Sequence, residues 1–377
     1  MRILHVVESL DDRLGGLPRA AVAIAEVHAR LGHDVVVATL RRPGDVLERV
    51  ATLDPRVHVE WFEPSGPLAR FSGSRGLRRW SRRHLPEFDL VHVHSTWNLV
   101  SAATLARARR HGARRVISPH GSLDDYDLAK KRRVKAVLGP LVVRRLLEGA
   151  TVIGTSEGER RALVTFGATV EAVVAPLPPE PAGTPADRST TRAALGVPED
   201  VDLVVFLGRI HPKKGLDRLI RSVAATDAHL VVAGTGTPGD VATTTELADG
   251  LGMTDRVHLT GWVGPQQRWD LLGAADVFAL LSERENWCIA AVEAALVGVP
   301  VLLSDQVWSG EVLATAGAAV VTPTDPPVAG RALADLLADD DRRARMSAAG
   351  RALTSTALSP ETVEHAYAVV LRNPATD

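Results

Sequence analysis

The sequence predicts an α/β protein made of two doubly wound parallel sheets, and three observations predict it. At 377 residues the chain is too long for one ordinary core. Short apolar runs alternate with helix-length amphipathic spacers, the rhythm of βαβ units. That rhythm is broken once near the middle of the chain and then resumes.

In order, "RILHVV" reads as the first strand, and "GGLPRAAVAIAEVHARLG" as the helix after it, with Pro18 near its first turn and Gly32 closing it. "DVVVATL", "DLVHVHS", "RRVISPH" and "ATVIGTS" are further strands with helical spacers between them, placing a first domain at residues 1–175. Residues 176–198 hold six prolines in polar sequence with no apolar period, which reads as a linker. The rhythm then restarts with "VDLVVFLGR", "AHLVVAGTG", "RVHLTGW", "ADVFALLS", "VPVLLSD" and "AAVVTP" as strands. "LDRLIRSVAA", "RWDLLGAA" and "CIAAVEAALVG" are among the helices between them, giving a second domain at 199–355. The segment 356–377, with "SPETVEHAYAVVLRN", is an amphipathic helix with no strand to follow; it can pack on either domain, including back across the first.

Composition narrows the function. A content of 45% hydrophobic and 24% charged residues is that of a soluble protein. No apolar run is long enough to span a bilayer, and "MRILHVVESLDDRLGG" meets Asp and Gly too early for a signal peptide, so a cytoplasmic protein is expected. The single cysteine, Cys288, excludes an internal disulfide framework and a multi-thiolate metal site. A net charge of −1 gives no global attraction for nucleic acid. Basic charge is uneven, however: Arg70, Arg75, Arg78, Arg79, Arg82 and Arg83 occur without an acid, and "KKRRVKAVLGPLVVRRLL" follows at 130–147. These are either solvated helix faces or surfaces for an acidic acceptor or the inner face of an anionic membrane.

In open α/β sheets ligands bind beyond the carboxyl ends of the strands, so the loops after strands carry the chemistry. "GRIHPKKG", at 208–215, gathers Arg209, Lys213 and Lys214 between glycines before a helix, which suits a diphosphate or else is a basic surface loop. It lacks the Walker spacing. Gly15 and Gly16 open the first helix, where backbone amides can meet an anion, without the dinucleotide fingerprint. In "SERENWCIAAVEAALVGVPVLLSD", Glu285 and Glu293 stand eight apart; eight residues of helix would rise about 12 Å, the scale of a sugar with its diphosphate and ribose. Carboxylates suit hydroxyls, since each accepts several hydrogen bonds. His94 and Trp97 in "HVHSTWN" either meet an acceptor or are packed structure. Asp124, Asp125 and Asp127 with Tyr126 form either a polar acceptor site or a solvated loop. Cys288, with no histidine in its local segment, reads as an inert packing thiol.

The carboxylate pair, "GRIHPKKG" and the N-terminal "GG" together resemble the retaining glycosyltransferases of family four, and "GTSEGE", "ISPHGSLD" and "SDQVWSGEVLATAGAAVV" extend the likeness toward the exopolysaccharide-type members. It covers nearly the whole chain and is strongest from 205 to 322. The resemblance implies the GT-B fold, two Rossmann-like domains facing each other across a cleft, the first on the acceptor side and the second holding the donor. It implies transfer of a sugar from a UDP- or GDP-sugar, with an α-glycosidic link formed and nucleoside diphosphate released. The acceptor is a saccharide, a lipid-linked saccharide or a small metabolite, in polysaccharide or natural-product assembly. No cofactor and no metal are implied, the nucleotide-sugar being a co-substrate and Arg and Lys stabilising the leaving group.

Carried over residue by residue, the resemblance implies that Arg209 and Lys214 hold the diphosphate, Glu293 the ribose and Glu285 the transferred sugar. Asn286, Trp287, Cys288 and Ile289 would line the donor, the backbone around Val263 would meet the base, and Gly15 and Gly16 would lie near the phosphates. His120, in "SPHG", matches the histidine beside the donor sugar. The catalytic set is then His120, Glu285, Arg209 and Lys214, and the acceptor set His94, Trp97, His120 and Asp124. The chain departs from the family in having Trp287-Cys288 where Phe-Gly is usual, and "VVAPLPPE" in place of Pro-Asn-Gly. Two other readings stay open: a GT-B enzyme of other chemistry, such as a pseudo-glycosyltransferase or nucleotide-sugar epimerase, and a non-catalytic nucleotide-sugar-binding protein.

Overall fold

The computed structural model describes residues 1–123, 143–165, 171–180 and 183–372. The chain forms two compact units, Met1–Pro178 with Pro360–Asp377, and Pro179–Ser359.

In the first unit β1 (Arg2–Ser9), β2 (Asp34–Leu40), β3 (Val57–Phe62), β4 (Leu90–His94), β5 (Arg114–Ser118), β6 (Thr151–Gly154) and β7 (Glu171–Val174) make one parallel sheet in the order β3-β2-β1-β4-β5-β6-β7. The interior strands are nearly continuous apolar runs because both faces are covered. The sequence reading missed β3 and β7. Both are edge strands: β3 alternates exposed and covered positions, and the short apolar run of β7 merges into the start of the Pro-rich stretch. Leu4, Val6, Val91 and Val93 pack one face of the sheet, while Val7, Val35 and Val37 meet the helix Gly16–Arg30 on the other.

The second unit repeats the plan. β8 (Leu203–Leu207), β9 (His229–Ala233), β10 (Val257–Gly261), β11 (Val277–Leu280), β12 (Val301–Ser304) and β13 (Ala319–Thr322) are parallel in the order β10-β9-β8-β11-β12-β13. In each unit the strand order reverses once, between β1 and β4 and between β8 and β11, and the loops leaving those four strands open at that reversal.

The stretch 176–198 is not a bare linker. It contains the helix Arg188–Leu195, capped by Asp187, and this part of the chain belongs to the second unit. No apolar period announces that helix, because a fully buried arginine anchors it: Arg192 donates to Asp276 Oδ2 at 2.6 Å and to the carbonyls of Ala274, Pro198 and Val201. The final helix, Pro360–Leu371, groups with the first unit. Tyr367 is buried there, Glu364 pairs with Arg30 at 2.8 Å, and Arg114 caps the carbonyls of Val370, Leu371 and Arg372. Among the described residues no helix is long and apolar enough to cross a membrane.

Candidate functional site

The reversal in the second unit is built from the loops after β8 and β11. Gly215 closes "GRIHPKKG" at φ +63°, and a side chain there would put Cβ 1.9 Å from the carbonyl oxygen of Leu281. Only glycine lets this loop lie against the end of β11. Ser282 Oγ and the Glu283 amide then both donate to the carbonyl of Lys213, at 2.7 and 2.8 Å. The consequence is a half-buried ion pair between Lys214 and Glu285, which are 71 residues apart in sequence. Burial works against the Lys214 ammonium, but the Glu285 carboxylate beside it outweighs that and holds its pKa above the usual lysine value. Arg209 stands exposed at the start of the same loop.

Glu285 is fixed through its backbone. Its amide donates to Gln306 O at 3.0 Å, Trp308 donates to Glu285 O at 3.0 Å, and Ser309 donates to Asn286 O at 3.1 Å. Asn286, Trp287 and Cys288 are buried, and the helix Ile289–Leu296 starts directly after them. Burial pushes the Cys288 thiol up to about 12, consistent with an inert packing role. In its first turn the Ala291 amide donates to Cys288 O at 3.1 Å, which leaves the amides of Ile289 and Ala290 without an intrahelical acceptor and suited to an anion or a polar ligand.

Two expectations change here. The eight residues from Glu285 to Glu293 do not form a continuous helix, because helix begins only at Ile289; the 12 Å rise therefore does not apply. Glu293, 1% exposed, also has a protein partner that sequence reasoning did not supply: Arg268 Nη2 lies 3.3 Å away and reaches Glu180 at 3.2 Å as well. Arg268 comes from the helix Pro265–Ala274, and Val263 sits half-buried in the turn that enters it.

At the reversal in the first unit, Gly15 (φ +84°) turns the chain into the helix that begins at the exposed Gly16. The loop after β5 carries His120 at φ +52°, a left-handed conformation that costs a non-glycine residue on the order of 1 kcal/mol. Glu159 holds the loop in that shape. Only 2% exposed, its carboxylate accepts from the Gly121 amide at 2.6 Å and from the Thr155 amide and hydroxyl at 2.8 and 3.1 Å. Glu159 lies within "GTSEGE", but nothing in that motif alone gives it this role. Trp97 is half-buried against the core and donates to Ser122 O at 2.7 Å.

His94 is corrected from an acceptor contact to an internal residue. It is fully buried, and both ring nitrogens are used, Nε2 with His5 and Nδ1 with His120, each at 3.0 Å. Asp124, like Asp125, Tyr126 and Asp127, lies outside the described residues. Burial lowers the pKa of His5 to about 3 and of His120 to about 4, and burial plus neighbouring rings holds His28, His92 and His94 well below the usual value. The structure thus gathers Lys214 and Glu285 with Arg209 nearby, and separately joins His94 to His120.

Known proteins carry the same plan. Residues 14–178 match the family model described as Glycosyltransferase Family 4, and residues 187–353 the one described as Glycosyl transferases group 1. The chain is 31% identical over 322 residues to a D-inositol 3-phosphate glycosyltransferase of Actinosynnema mirum, covering 76% of this chain and 75% of that one. It is 28% identical over 379 residues to the protein of the same name from Corynebacterium diphtheriae, covering 89% and 84%. Among solved structures, sucrose-phosphate synthase from Thermosynechococcus elongatus superposes with a TM-score of 0.80 at 19% identity, covering 98% of each chain. Anabaena HepE, solved in complex with UDP and glucose, superposes with a TM-score of 0.80 at 20% identity, covering 98% and 99%. At such identities the structural likeness speaks to fold alone. Family models over both units, the Actinosynnema relative and the two matching sheets agree: the chain belongs to the family-four glycosyltransferases of GT-B fold.

Proposed function

We propose that this glycosyltransferase takes its sugar from a nucleoside-diphosphate donor and transfers it with retention, forming an α-glycosidic link and releasing nucleoside diphosphate. The observation that carries this reading is the Lys214–Glu285 pair at the reversal between β8 and β11, beside exposed Arg209 and an open helix start. As the bond to the sugar breaks, negative charge grows on the diphosphate; Arg209 and Lys214 are cations already in place to stabilise it, so no metal is required for that task. Glu285 is then released to accept hydroxyls of the transferred sugar. Glu293, steadied by Arg268, accepts the ribose hydroxyls, and the backbone at Val263 meets the base. His120 works on the donor sugar, and at the turn Gly15–Gly16 the Gly16 amide is offered to phosphate oxygens, that of Gly15 being given to Asp12 O at 3.3 Å. UDP- and GDP-sugars are both candidates. The name shared by the curated relatives makes a phosphorylated cyclitol the first acceptor to try, ahead of saccharides and lipid-linked saccharides.

The test is to incubate the protein with UDP- and GDP-sugars and these acceptors, weigh the products and read the anomeric configuration by NMR. An α-linked product with free nucleoside diphosphate is expected. A β-linked product would end the retaining reading, an epimerised donor would favour the epimerase, and tight donor binding without transfer or hydrolysis would favour a binding protein.

A peripheral membrane contact is proposed on a separate observation. The helix Arg75–His84 exposes Arg75, Arg78, Arg79, Arg82 and Arg83, and Leu68 and Phe71 just before it are 50% and 51% exposed. Flotation with anionic vesicles tests it; no binding to anionic vesicles would remove the proposal.

A further inference from the structure

Beneath His120 lies a file of buried imidazoles that the proposed chemistry does not use. His5 on β1 stands in register with His92 on β4, and His94 follows on the same face of the sheet. His28, from the helix Gly16–Arg30, packs against His5 on that face, and Tyr367 of the last helix meets the edge of His28 with ring centroids 5.8 Å apart. Four of these rings are joined end to end. His28 Nδ1 meets His5 Nε2, His5 Nδ1 meets His94 Nε2, and His94 Nδ1 meets His120 Nε2, each pair 3.0 Å apart.

A neutral imidazole carries one N–H and one bare nitrogen. In a file of such rings every N–H must therefore point the same way, and the whole file has two neutral arrangements only. The ends choose between them. Among the described residues, His28 Nε2 and the Tyr367 hydroxyl are both buried without a hydrogen-bond partner. If the protons pointed inward, that nitrogen would be a buried N–H with nothing to accept it, the rarer and costlier kind of orphan. If they point outward, it is only a bare lone pair. The other end is different. His120 is partly buried and not sealed like the other rings, and its Nδ1 makes no hydrogen bond among the described residues, so an N–H there is not spent within the file and remains for a ligand.

We propose that His28, His5 and His94 are positioning residues that fix His120 as its neutral Nδ1–H tautomer, so that it presents a hydrogen-bond donor and not a base. Use of that donor on the transferred sugar rests on the function proposed above; the tautomer itself does not. The strained backbone of His120 and its tether through Gly121 and Glu159 aim the ring, and the file sets which nitrogen carries the proton. His92 belongs to the same cluster but not to the file: its Nε2 meets Ser118 Oγ at 2.9 Å. The ring nitrogens of His5, His92 and His94 lie within 4.8 Å of one another, so a bound metal ion is the competing explanation.

The experiment is long-range proton–nitrogen NMR on the full chain labelled at histidine, without substrate, at neutral pH. His28, His5, His94 and His120 are each expected as neutral Nδ1–H rings, with couplings across the three N–H···N bonds. Assignments come from single substitutions. His94→Phe should release His120 to a mixture of tautomers, while His92→Phe should leave it unchanged. His94→Phe should also lower kcat at least tenfold with little change in the affinity for nucleoside diphosphate. An Nε2–H tautomer at His120 in the unsubstituted protein, a doubly protonated ring in the file, or stoichiometric metal on His5, His92 and His94 would each overturn the proposal. If the variant does not fold, the spectrum of the unsubstituted protein still decides. Loss of activity in every donor assay with the expected spectrum intact would count against the transfer reading alone.

Discussion

Between β8 and β11 the second unit gathers charge: Lys214 against Glu285, and Arg268 between Glu293 and Glu180. Between β1 and β4 the first unit gathers imidazoles that burial keeps neutral, with no charged partner for His5, His92 or His94 in their hydrogen bonds. One strand plan thus carries two kinds of polar interior. A charged pair is held by its partner, so removing one member strands the other; a file of neutral rings is held by the alternation of donor and acceptor, and fails when it takes up protons. The first kind suits a site that must meet a charged ligand, and the second suits one that must present a proton at a fixed place.

The largest expected effect tests the charged side. Lys214→Ala should lower kcat by about 10² to 10³, because it removes a preorganised cation from the leaving diphosphate. Steady-state kinetics with the accepted donor reads it. A rise in KM with kcat intact would place Lys214 in uniform donor binding and take it out of the leaving-group role.

Arg268→Met should cost the second unit on the order of 3 kcal/mol, since Glu293 would remain buried without this partner. Urea unfolding followed by the tryptophans of that unit measures it. A loss under 1 kcal/mol would mean that Glu293 draws little from Arg268.

Acid should distinguish the units next. His5 has its pKa lowered by burial to about 3, against 6.5 when unfolded, so between those values the unfolded chain binds the proton and the folded chain does not. Stability from this group is present above 6.5 and is lost as pH falls, by about 1.4 kcal/mol per pH unit for each such ring. His28, His92 and His94 share the direction. The second unit holds a lesser counterpart in the partly buried pair His229 and His258. Hydrogen exchange at pH 7 and pH 5 should therefore show β1 and β4 losing protection before β8 and β11. The reverse order would break the contrast.

How much of this could be read beforehand follows from where the signals lie. The four interior strands of the second unit, β8, β9, β11 and β12, were legible because parallel strands covered on both faces become short apolar runs, and its edge strands β10 and β13 were legible because they keep short apolar runs although they are only partly covered. Strands β3 and β7 were not, since β3 interleaves His58 and Glu60 with its apolar residues and β7 is four residues that run into the Pro-rich stretch, and the helix Arg188–Leu195 was hidden because a buried guanidinium anchors it. Lys214 and Glu285 were assigned to one ligand by the family resemblance, and both stand in loops after strands, but their direct pairing appears only in the structure. Arg268 could not be matched to Glu293, because which helix faces which is set by packing. His94 misled for a related reason: alternation says that a strand residue points to one face or the other, and only the neighbours show that this face is sealed.

The most direct test of the charged site is calorimetric titration of Glu285→Gln and Glu293→Gln with free UDP and GDP, then with the intact sugar donor. Glu293→Gln should weaken free diphosphate by about 1.5 to 3 kcal/mol, the worth of hydrogen bonds to a charged acceptor. Glu285→Gln should leave free diphosphate unchanged or bound more tightly, because Lys214 is released from its partner, while transfer falls and discrimination between donor sugars blurs. Equal weakening of free diphosphate by both substitutions would contradict the assignment, and would mark the two carboxylates as structural counter-ions of Lys214 and Arg268.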